Sequence, residues 1–390
     1  MLLRFILFSV VLTIVLCAVT YYIGLRFIKR VDWLKKYSRW WWGSLFGFAM
    51  FQLVMSLLSR IYPEPFLQWT ILPVLMYGSL GFFACLLFYV LAVDTVLFFT
   101  KYLSSEAKQT DYGRRGFVSA SVVAFFSSIL GMFQAVSGPK VCEVEIPLAN
   151  LPKEFDGFKI VQISDLHVGP LIGRAYTQNV VNIANSLGAD LIALTGDFVD
   201  GTVDTLREDL TPLTQLKAKH GLFFVTGNHE YYWGAEAWCQ EFRRMGFRVL
   251  LNEHAVITEN QSSIVLAGVT DYRAYQFDVA HATSPSKALE GHPKDAIKIL
   301  LAHQPSSYEE AFKAGVHLQL SGHTHGGQFF PWSLVVGLAH RYFKGLYNHQ
   351  GMWIYVNRGT GYWGPPIRLG VPSEVTLLKL KRTVVEPRAS

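Results

Sequence analysis

The distribution of apolar residues divides the chain into two parts. Before about residue 140 the apolar stretches are long, and four of them reach the roughly 20 residues that a helix needs to cross a bilayer. We therefore predict an all-α region of four transmembrane helices within residues 1–139. The predicted spans are approximately 5–25, 40–59, 67–93 and 117–137.

The first span could instead be a signal peptide, because Arg4 precedes its apolar run. That run is longer than the roughly 7–15 residues of a signal peptide, and no A-x-A cleavage site follows it. We interpret this stretch as an uncleaved span.

After about residue 140 the pattern changes to short apolar runs of strand type, separated by amphipathic stretches of helical length. This alternation predicts an α/β layered domain over residues 140–390, with ligand chemistry at the carboxyl ends of the strands. Strand-type runs cover 158–163, 189–195, 221–226, 263–269, 296–302, 316–321, 352–357 and 374–380, and helical patterns cover 174–187, 205–219, 234–246 and 305–314.

Composition supports a membrane-embedded part. Of the 390 residues, 51% are hydrophobic and only 16% are charged, and the mean hydropathy is +0.25, which is too apolar for an ordinary soluble protein. The four cysteines are scattered and form no CxxC pair, so a disulfide framework or a cysteine zinc site is not indicated. The sequence does not exclude a single disulfide between Cys142 and Cys239.

The basic charge belongs to the membrane part. Residues 1–139 hold 12 Lys and Arg against 5 Asp and Glu, whereas residues 140–390 hold 23 against 24, which gives +7 and −1. A nucleic-acid partner is not expected, because the second part has no basic excess.

Lysine and arginine are concentrated in two of the predicted loops, between spans one and two and between spans three and four. Cytoplasmic loops carry such an excess, so both termini are expected on the other side. The sequence therefore predicts a multi-pass protein of the cell (inner) membrane, with the domain after residue 138 on the non-cytoplasmic side.

Polar residues collect where the predicted strands end. Five such endings follow one another, and glycine directly precedes the polar residue in three of them, which lets the backbone turn sharply toward a shared cleft. The endings are SDLH with Asp165 and His167, GDFVD with Asp197, GNHE with Asn228, His229 and Glu230, HQP with His303, and GHTH with His323 and His325.

These residues indicate a metal site. Oxygen and imidazole donors without thiolates suit a divalent ion such as Mn, Fe or Zn, and seven donors are too many for one closed four-coordinate site. They suit two ions that share a bridging carboxylate, an arrangement that clamps a phosphoryl group.

In order, the motifs D-x-H, GD, GNHE, H-x-P and GHTHGGQ resemble those of the calcineurin-like metallophosphoesterases, over roughly residues 141–381. The resemblance implies an α/β fold, a four-layer α/β/β/α sandwich with two divalent metal ions. The tail NRGTGYWGPPIRLGVPSEVTLL also resembles the membrane-associated bacterial branch that includes UDP-2,3-diacylglucosamine hydrolases. The same resemblance implies that Asp165, His167 and His325 bind the first ion, that Asn228, His303 and His323 bind the second, and that Asp197 bridges the two. It also implies that His229 protonates the leaving oxygen and that Glu230 orients His229 or supports the site.

Several residues near these motifs have more than one interpretation. His229 could only hold Asn228 or Asp197 in place. Asp200 and Asp271 are interpreted as turn residues rather than as substrate contacts. Either Arg358 or Arg368 could pair with a second phosphate or form an ordinary surface salt bridge.

Two further segments have two interpretations each. Asp94 is interpreted as the end of the third span rather than as a buried intramembrane carboxylate. Residues 329–347, apolar and aromatic with Arg341 and Lys344 near the end, could enter the lipid head-group region or pack on the protein.

The expected function is hydrolysis of a phosphodiester or pyrophosphate bond, in a lipid-linked substrate, by a membrane-anchored enzyme. One alternative is a cytoplasm-facing hydrolase of the UDP-2,3-diacylglucosamine type. Another is a non-catalytic membrane binding or scaffold protein, which predicts eroded metal positions.

Overall fold

The computed structural model describes residues 2–61, 71–100, 106–293 and 295–383. Its chain divides into two compact units, one formed by residues up to Phe133 with Gly364–Ile367, the other by Gln134–Trp363 with the residues from Arg368 on. The predicted boundary at 139/140 lies a few residues after the start of the second unit at Gln134, and the grouping of Gly364–Ile367 with the first unit was not predicted.

The first unit is built from long apolar helices. Among the described residues, four helices are long and apolar enough to cross a membrane, over Ser9–Arg30, Ser38–Ser59, Ile71–Thr100 and Tyr112–Val136. The predicted all-α region is thus confirmed, while the start of the third predicted span lies outside the described residues. The helices are α1 (Leu2–Arg30), α2 (Asp32–Lys36), α3 (Ser38–Ile61), α4 (Ile71–Thr100) and α5 (Glu106–Val136).

Asp94 lies inside α4, because this helix continues to Thr100 instead of ending at residue 93. Its carboxylate is 2.7 Å from the Arg26 guanidinium and also accepts a hydrogen bond from the Tyr22 hydroxyl. Asp94 is thus a paired carboxylate within an apolar helix, where an unpaired charge would be costly. Its interpretation as the end of the third span stays a prediction.

Within its described residues, the second unit contains two six-stranded sheets and seven short α-helices. The first sheet has the order β1-β12-β2-β3-β4-β5 and the second the order β10-β11-β9-β8-β7-β6. The strands are β1 (Lys140–Ala149), β2 (Lys159–Ile163), β3 (Leu191–Leu194), β4 (Leu222–Phe224), β5 (Arg248–Val249), β6 (Glu253–Glu259), β7 (Ser262–Gly268), β8 (Ile297–Leu301), β9 (Leu318–Ser321), β10 (Gly345–His349), β11 (Met352–Val356) and β12 (Glu374–Thr383). The helices are α6 (Arg174–Ser186), α7 (Val203–Leu210), α8 (Asn228–Trp233), α9 (Ala235–Arg244), α10 (Pro285–Ala288), α11 (Tyr308–Lys313) and α12 (Trp332–Ala339).

The two sheets pack face to face. One buried core takes side chains from both, among them Ile160 and Leu191 of the first sheet and Ile299 and Leu320 of the second. Helices cover the outer faces; Phe242 of α9, for example, stacks on Phe224 of β4 with ring centroids 3.8 Å apart. The predicted four-layer α/β/β/α sandwich is confirmed. Cys142 and Cys239 are free thiols, so the possible bridge between them is not formed.

The central strands of each sheet run parallel. Strands β2, β3, β4 and β5 are parallel neighbours, as are β7, β8, β9 and β11. Their carboxyl ends therefore lie at one edge of each sheet, and all five motifs follow such ends. This topology is what gathers residues far apart in sequence.

Candidate metal centre

The seven predicted ligands all lie two to four residues beyond the end of a strand. Five of them adopt a left-handed backbone conformation with φ between 51° and 70°, a region that side-chain-bearing residues avoid. Each such residue costs on the order of 1 kcal/mol or more, and residues of this kind gather at functional sites. The five are Asp165, His167, Asp197, His323 and His325.

Three glycines make room for these loops. Gly196 has φ +86°, as the sequence-based argument about sharp turns requires. Gly227 and Gly322 do not have a positive φ; they are needed because a Cβ atom there would lie 2.2 Å from an Asp197 oxygen or an Asp165 oxygen, respectively. The sequence predicted the importance of these glycines, but for two of them the reason is close approach rather than backbone freedom.

Asp165, His167 and His325 form one candidate ligand group, with donor atoms within 4.8 Å of one another. The Nε2 atoms of the two histidines are 3.1 Å apart, and Nε2 of His325 is 3.5 Å from Oδ1 of Asp165. Two imidazole nitrogens at this distance need a proton or a cation between them, so the geometry suits an ion.

A second group consists of Asp197, His303 and His323. Nε2 of His303 is 3.1 Å from Oδ2 of Asp197 and 3.2 Å from Nδ1 of His323. Asp197 is also grouped with His167 and His229. It is therefore the carboxylate that the two sides of the site share, the position that the bridging role requires.

Asn228, at the first turn of α8, offers an independent test of whether these residues suit a metal. Its Oδ1 is buried and accepts no hydrogen bond within the described part of the chain. A buried unsatisfied acceptor costs about 1–3 kcal/mol. A divalent ion would satisfy this oxygen, so the donor set fits metal binding.

Hydrogen bonds fix the orientation of the imidazoles. Nδ1 of His303 donates to the Thr195 carbonyl at 2.8 Å, which leaves its Nε2 facing the site. Nδ1 of His167 is 3.2 Å from an oxygen of Asp200, with the same effect. Contacts of this kind select the tautomer that a metal ligand needs.

Burial and charge act against each other in this centre. Burial raises the pKa of Asp165, whereas at Asp197 the imidazole charges, chiefly that of His303, overcome burial and hold the pKa far below its usual value. Burial and the neighbouring His303 lower the pKa of His323 to about 3. The buried carboxylates thus require nearby positive charge, which bound cations supply when they replace protons.

His229 lies beside Asp197 and Asp200. Its Nδ1 is 2.5 Å from an Asp200 oxygen, its Nε2 is 3.9 Å from Asp197, and its backbone N–H donates to Asp197 at 2.8 Å. Burial opposes the charged ring, but these two carboxylates outweigh it and raise the pKa of His229 to about 9. A pKa raised in this way favours the protonated imidazole, which is the form that a proton donor must take.

Asp200 does more than form a turn, and this further role was not predicted from the sequence. Its two oxygens contact Nδ1 of His167 and Nδ1 of His229, and these imidazoles lower its pKa against the effect of burial. The spacing GDFVD places it three residues after Asp197, which is the one signal in the sequence that could have identified it. Asp271, by contrast, accepts a hydrogen bond from the Arg273 N–H two residues later, as expected of a turn residue.

Glu230 fastens two loops together. Its oxygens accept hydrogen bonds from the backbone N–H groups of Asp197 at 3.0 Å, Phe198 at 2.8 Å and Gly227 at 2.6 Å. Burial and the nearby Asp197 raise its pKa to about 7. Its contacts are with backbone, so Asp200 rather than Glu230 holds the His229 ring.

Arg368 is fully buried. Its guanidinium donates to the carbonyls of Arg358, Gly361 and His325 and to Nδ1 of His325. Burial lowers its pKa to about 10. Arg358 is paired with the buried Glu374. Both arginines therefore support the loops behind the site, and phosphate pairing by Arg368 is ruled out by its contacts.

Replacing Arg368 by methionine is expected to lower the free energy of unfolding by about 3 kcal/mol, because several buried carbonyls lose their donor. This corresponds to a melting temperature lower by roughly 6–12 °C for a unit of this size. The measurement is thermal unfolding of the full chain in detergent. Arg244→Met is the matched control: its side chain is 61% exposed and pairs with Glu241, and we expect a change of at most about 1 kcal/mol. Equal losses in the two variants would contradict the structural role of Arg368.

Comparisons with known proteins agree with this geometry. The family model of calcineurin-like phosphoesterases matches residues 158–327. A transmembrane protein with a metallophosphoesterase domain from Danio rerio is 35% identical over 80% of this chain and 74% of its own length. An uncharacterized metallophosphoesterase of Helicobacter pylori is 38% identical over 68% of this chain and 72% of its own length, and one of Campylobacter jejuni is 27% identical over 97% and 99%.

Proposed function

Because the chain belongs to the calcineurin-like metallophosphoesterase family, we propose that it hydrolyses a phosphodiester or pyrophosphate bond of a lipid-linked substrate by direct attack of water. The protein is a metal-dependent phosphoesterase and a membrane protein, and enzymes of this family use two divalent metal ions. We assign catalysis to residues 140–390 and anchoring to residues 1–139.

The observation that carries this proposal is the shared position of Asp197. It belongs to the ligand group of His303 and His323 and also to the group with His167 and His229. The orphan oxygen of Asn228 supplies a further donor. A scaffold protein would not need to keep these donors together, whereas a two-ion hydrolase needs all of them.

We assign roles to the residues as follows. Two divalent ions bound here would lower the pKa of a water molecule and neutralise charge on the phosphoryl oxygens. Asp165, His167 and His325 would hold one ion, Asn228, His303 and His323 the other, and Asp197 both. His229, oriented by Asp200, would donate its proton to the leaving oxygen from Nε2. Glu230 would keep Asp197 and α8 in register through its three backbone contacts.

A lipid-linked substrate is favoured by the anchor. The four apolar helices keep the catalytic unit at a bilayer at all times, which raises the effective concentration of substrates in the same membrane without any new contact. A water-soluble substrate would gain nothing from this arrangement.

Removal of the metal is expected to lower the rate of hydrolysis 100-fold or more, because the seven donors have no other means to polarise a phosphoryl group. The detergent-purified protein is dialysed against a chelator and assayed on a phosphodiester, a phosphomonoester and lipid pyrophosphates, before and after Mn is restored. At a free Mn concentration about 100 times Kd, restoration should also stabilise the fold by about 2.7 kcal/mol. Undiminished hydrolysis by the metal-free protein would exclude the proposed mechanism.

We propose that the catalytic unit faces the non-cytoplasmic side, as the loop charges predict. Cys17 and Cys142 are first replaced by serine, and cysteine is then introduced at the exposed Val256 of β6. A membrane-impermeant maleimide is expected to label this cysteine when applied from the non-cytoplasmic side. Labelling only after the membrane is permeabilised would instead favour the cytoplasm-facing glycolipid hydrolase.

A further inference from the structure

Helix α12, with the sequence WSLVVGLA, presents apolar side chains to its surroundings. None of its eight residues is buried, and Leu338 is 92%, Leu334 55% and Trp332 54% exposed. Leu334 and Leu338 are four residues apart and so lie on one side of the helix. A continuous exposed apolar surface marks an interaction site more often than a solvated face.

This helix is fixed beside the candidate metal centre. It begins shortly after the turn that carries His323 and His325, and a Cβ atom on Gly327 would lie 2.2 Å from the Ser333 Cα. Beyond its other end, the ring centroid of His340 is 6.3 Å from that of His323. The apolar surface is therefore part of the rim of the site, and its position is set by the metal-binding loop itself.

Two exposed cations follow the helix directly. Arg341 lies over the Tyr342 ring, 5.5 Å from its centroid, and Lys344 lies over the Phe343 ring at 5.1 Å. An apolar helical face next to exposed cations and aromatic rings is typical of segments that lie in the head-group region of a bilayer. The cations suit the negative surface of membranes that contain anionic lipids.

The rim is also aromatic beside His229. The rings of Tyr232 and Trp363 have centroids 5.1 Å and 5.6 Å from that of His229, and both side chains are exposed. Tyrosine and tryptophan combine an apolar ring with a polar group and are favoured at membrane interfaces. Apolar or aromatic groups thus lie beside both His229 and His323.

We propose that α12 inserts its Leu334 and Leu338 face into the boundary between head groups and acyl chains, and so holds the metal centre at the depth of phosphoesters carried by membrane lipids. This inference rests on the proposed function and narrows its substrate class to esters presented by a bilayer. A bilayer accounts for the features better than a second protein molecule, because the chain is already anchored in one and because the flanking cations match an anionic surface.

The location of the helix is tested without reference to activity. In full-length protein with Cys17 and Cys142 replaced by serine, a nitrobenzoxadiazole probe is attached to Leu338→Cys, and the protein is placed in vesicles of phosphatidylcholine and phosphatidylglycerol. We expect blue-shifted emission that spin-labelled lipids quench, while the same probe at Val256→Cys stays water-like. Water-like emission at position 338, or shielding without lipid quenching, would overturn the proposal; the latter result would mean that protein covers the helix.

The consequence for the substrate is tested with two nitrophenyl phosphodiesters, one water-soluble and one carrying an acyl chain within the vesicles. The double variant Leu334→Ser, Leu338→Ser is expected to cleave the lipid ester at least 10-fold more slowly, and the soluble ester within 2-fold of the wild-type rate. Val256→Ser should change neither rate. Equal loss on both esters, or no loss on the lipid ester, would refute the inference and leave the phosphoesterase function standing. Inertness of the metal-loaded wild type toward both esters and toward the lipid pyrophosphates of the metal-removal assay would instead refute the proposed function, independently of the probe result.

Discussion

The substitution Asp197→Asn is expected to reduce kcat on the order of 1000-fold, which is equivalent to a loss of about 4 kcal/mol of transition-state stabilisation. Asp197 is the carboxylate common to the ligand groups, and its side chain is only 3% exposed. An amide of the same shape keeps one oxygen but loses the negative charge that both ions require. We therefore expect metal analysis of the purified variant to find fewer than two bound ions per chain.

A matched substitution separates this effect from general damage to the fold. Asp190→Asn removes a carboxylate whose oxygen accepts the Lys159 N–H at 2.8 Å, in the same sheet but outside the ligand groups. Its activity and metal content should stay within 2-fold of the wild-type values. If Asp197→Asn retained two ions and wild-type kcat, the shared position of this carboxylate would have no catalytic meaning.

Asp197 also illustrates what sequence patterns predict well. The strands that precede the motifs, such as KIVQI and LIAL, are continuous apolar runs because both faces of a central parallel strand are buried. Such runs are visible in the sequence, and the polar residues that follow them must meet at the carboxyl edge of the sheet. The candidate ligands could therefore be predicted because their positions depend on topology alone.

Two strands at the edges of the first sheet were not predicted, because they lack a continuous apolar run. Strand β1 alternates between exposed and half-buried positions over much of its length, and β5 has only two residues, so neither gives an apolar run. The helical pattern predicted for 205–219 was too long: α7 ends at Leu210, and a 3₁₀ turn with Pro212 near its start follows. Proline there removes a backbone donor and ends the regular helix.

The supporting residues of the site could not be predicted from the sequence. Aspartate is a common residue type in turns, so the sequence around Asp200 indicates only a turn. The contacts of Asp200 with His167 and His229 exist only because the fold brings these loops together. Arg368 was expected near a phosphate or at the surface, since a fully buried arginine without a carboxylate partner is rare. Its carbonyl partners belong to the backbone, which leaves no trace in a sequence pattern.

The substitution His229→Gln should lower kcat by roughly 100- to 10,000-fold for esters of aliphatic alcohols, which is the range expected for loss of a general acid. The reason is specific: an alkoxide leaves with a proton, which His229 would donate, whereas a nitrophenolate leaves without one. For a nitrophenyl ester we therefore expect a loss of less than about 10-fold. The two substrates are compared with the same metal-loaded preparations.

This comparison also decides between a proton donor and a metal ligand, because His229 is grouped with His167 and Asp197 as well. A ligand would be needed for every substrate, so His229→Gln would then lower both rates equally and reduce the metal content. The control is His254→Gln, whose imidazole contacts the Ala288 carbonyl outside the ligand groups and should leave both rates unchanged. Since Asp200 holds Nδ1 of His229 at 2.5 Å, Asp200→Asn should reproduce the leaving-group dependence in weaker form: a positioning residue changes how well the proton is delivered but does not supply it.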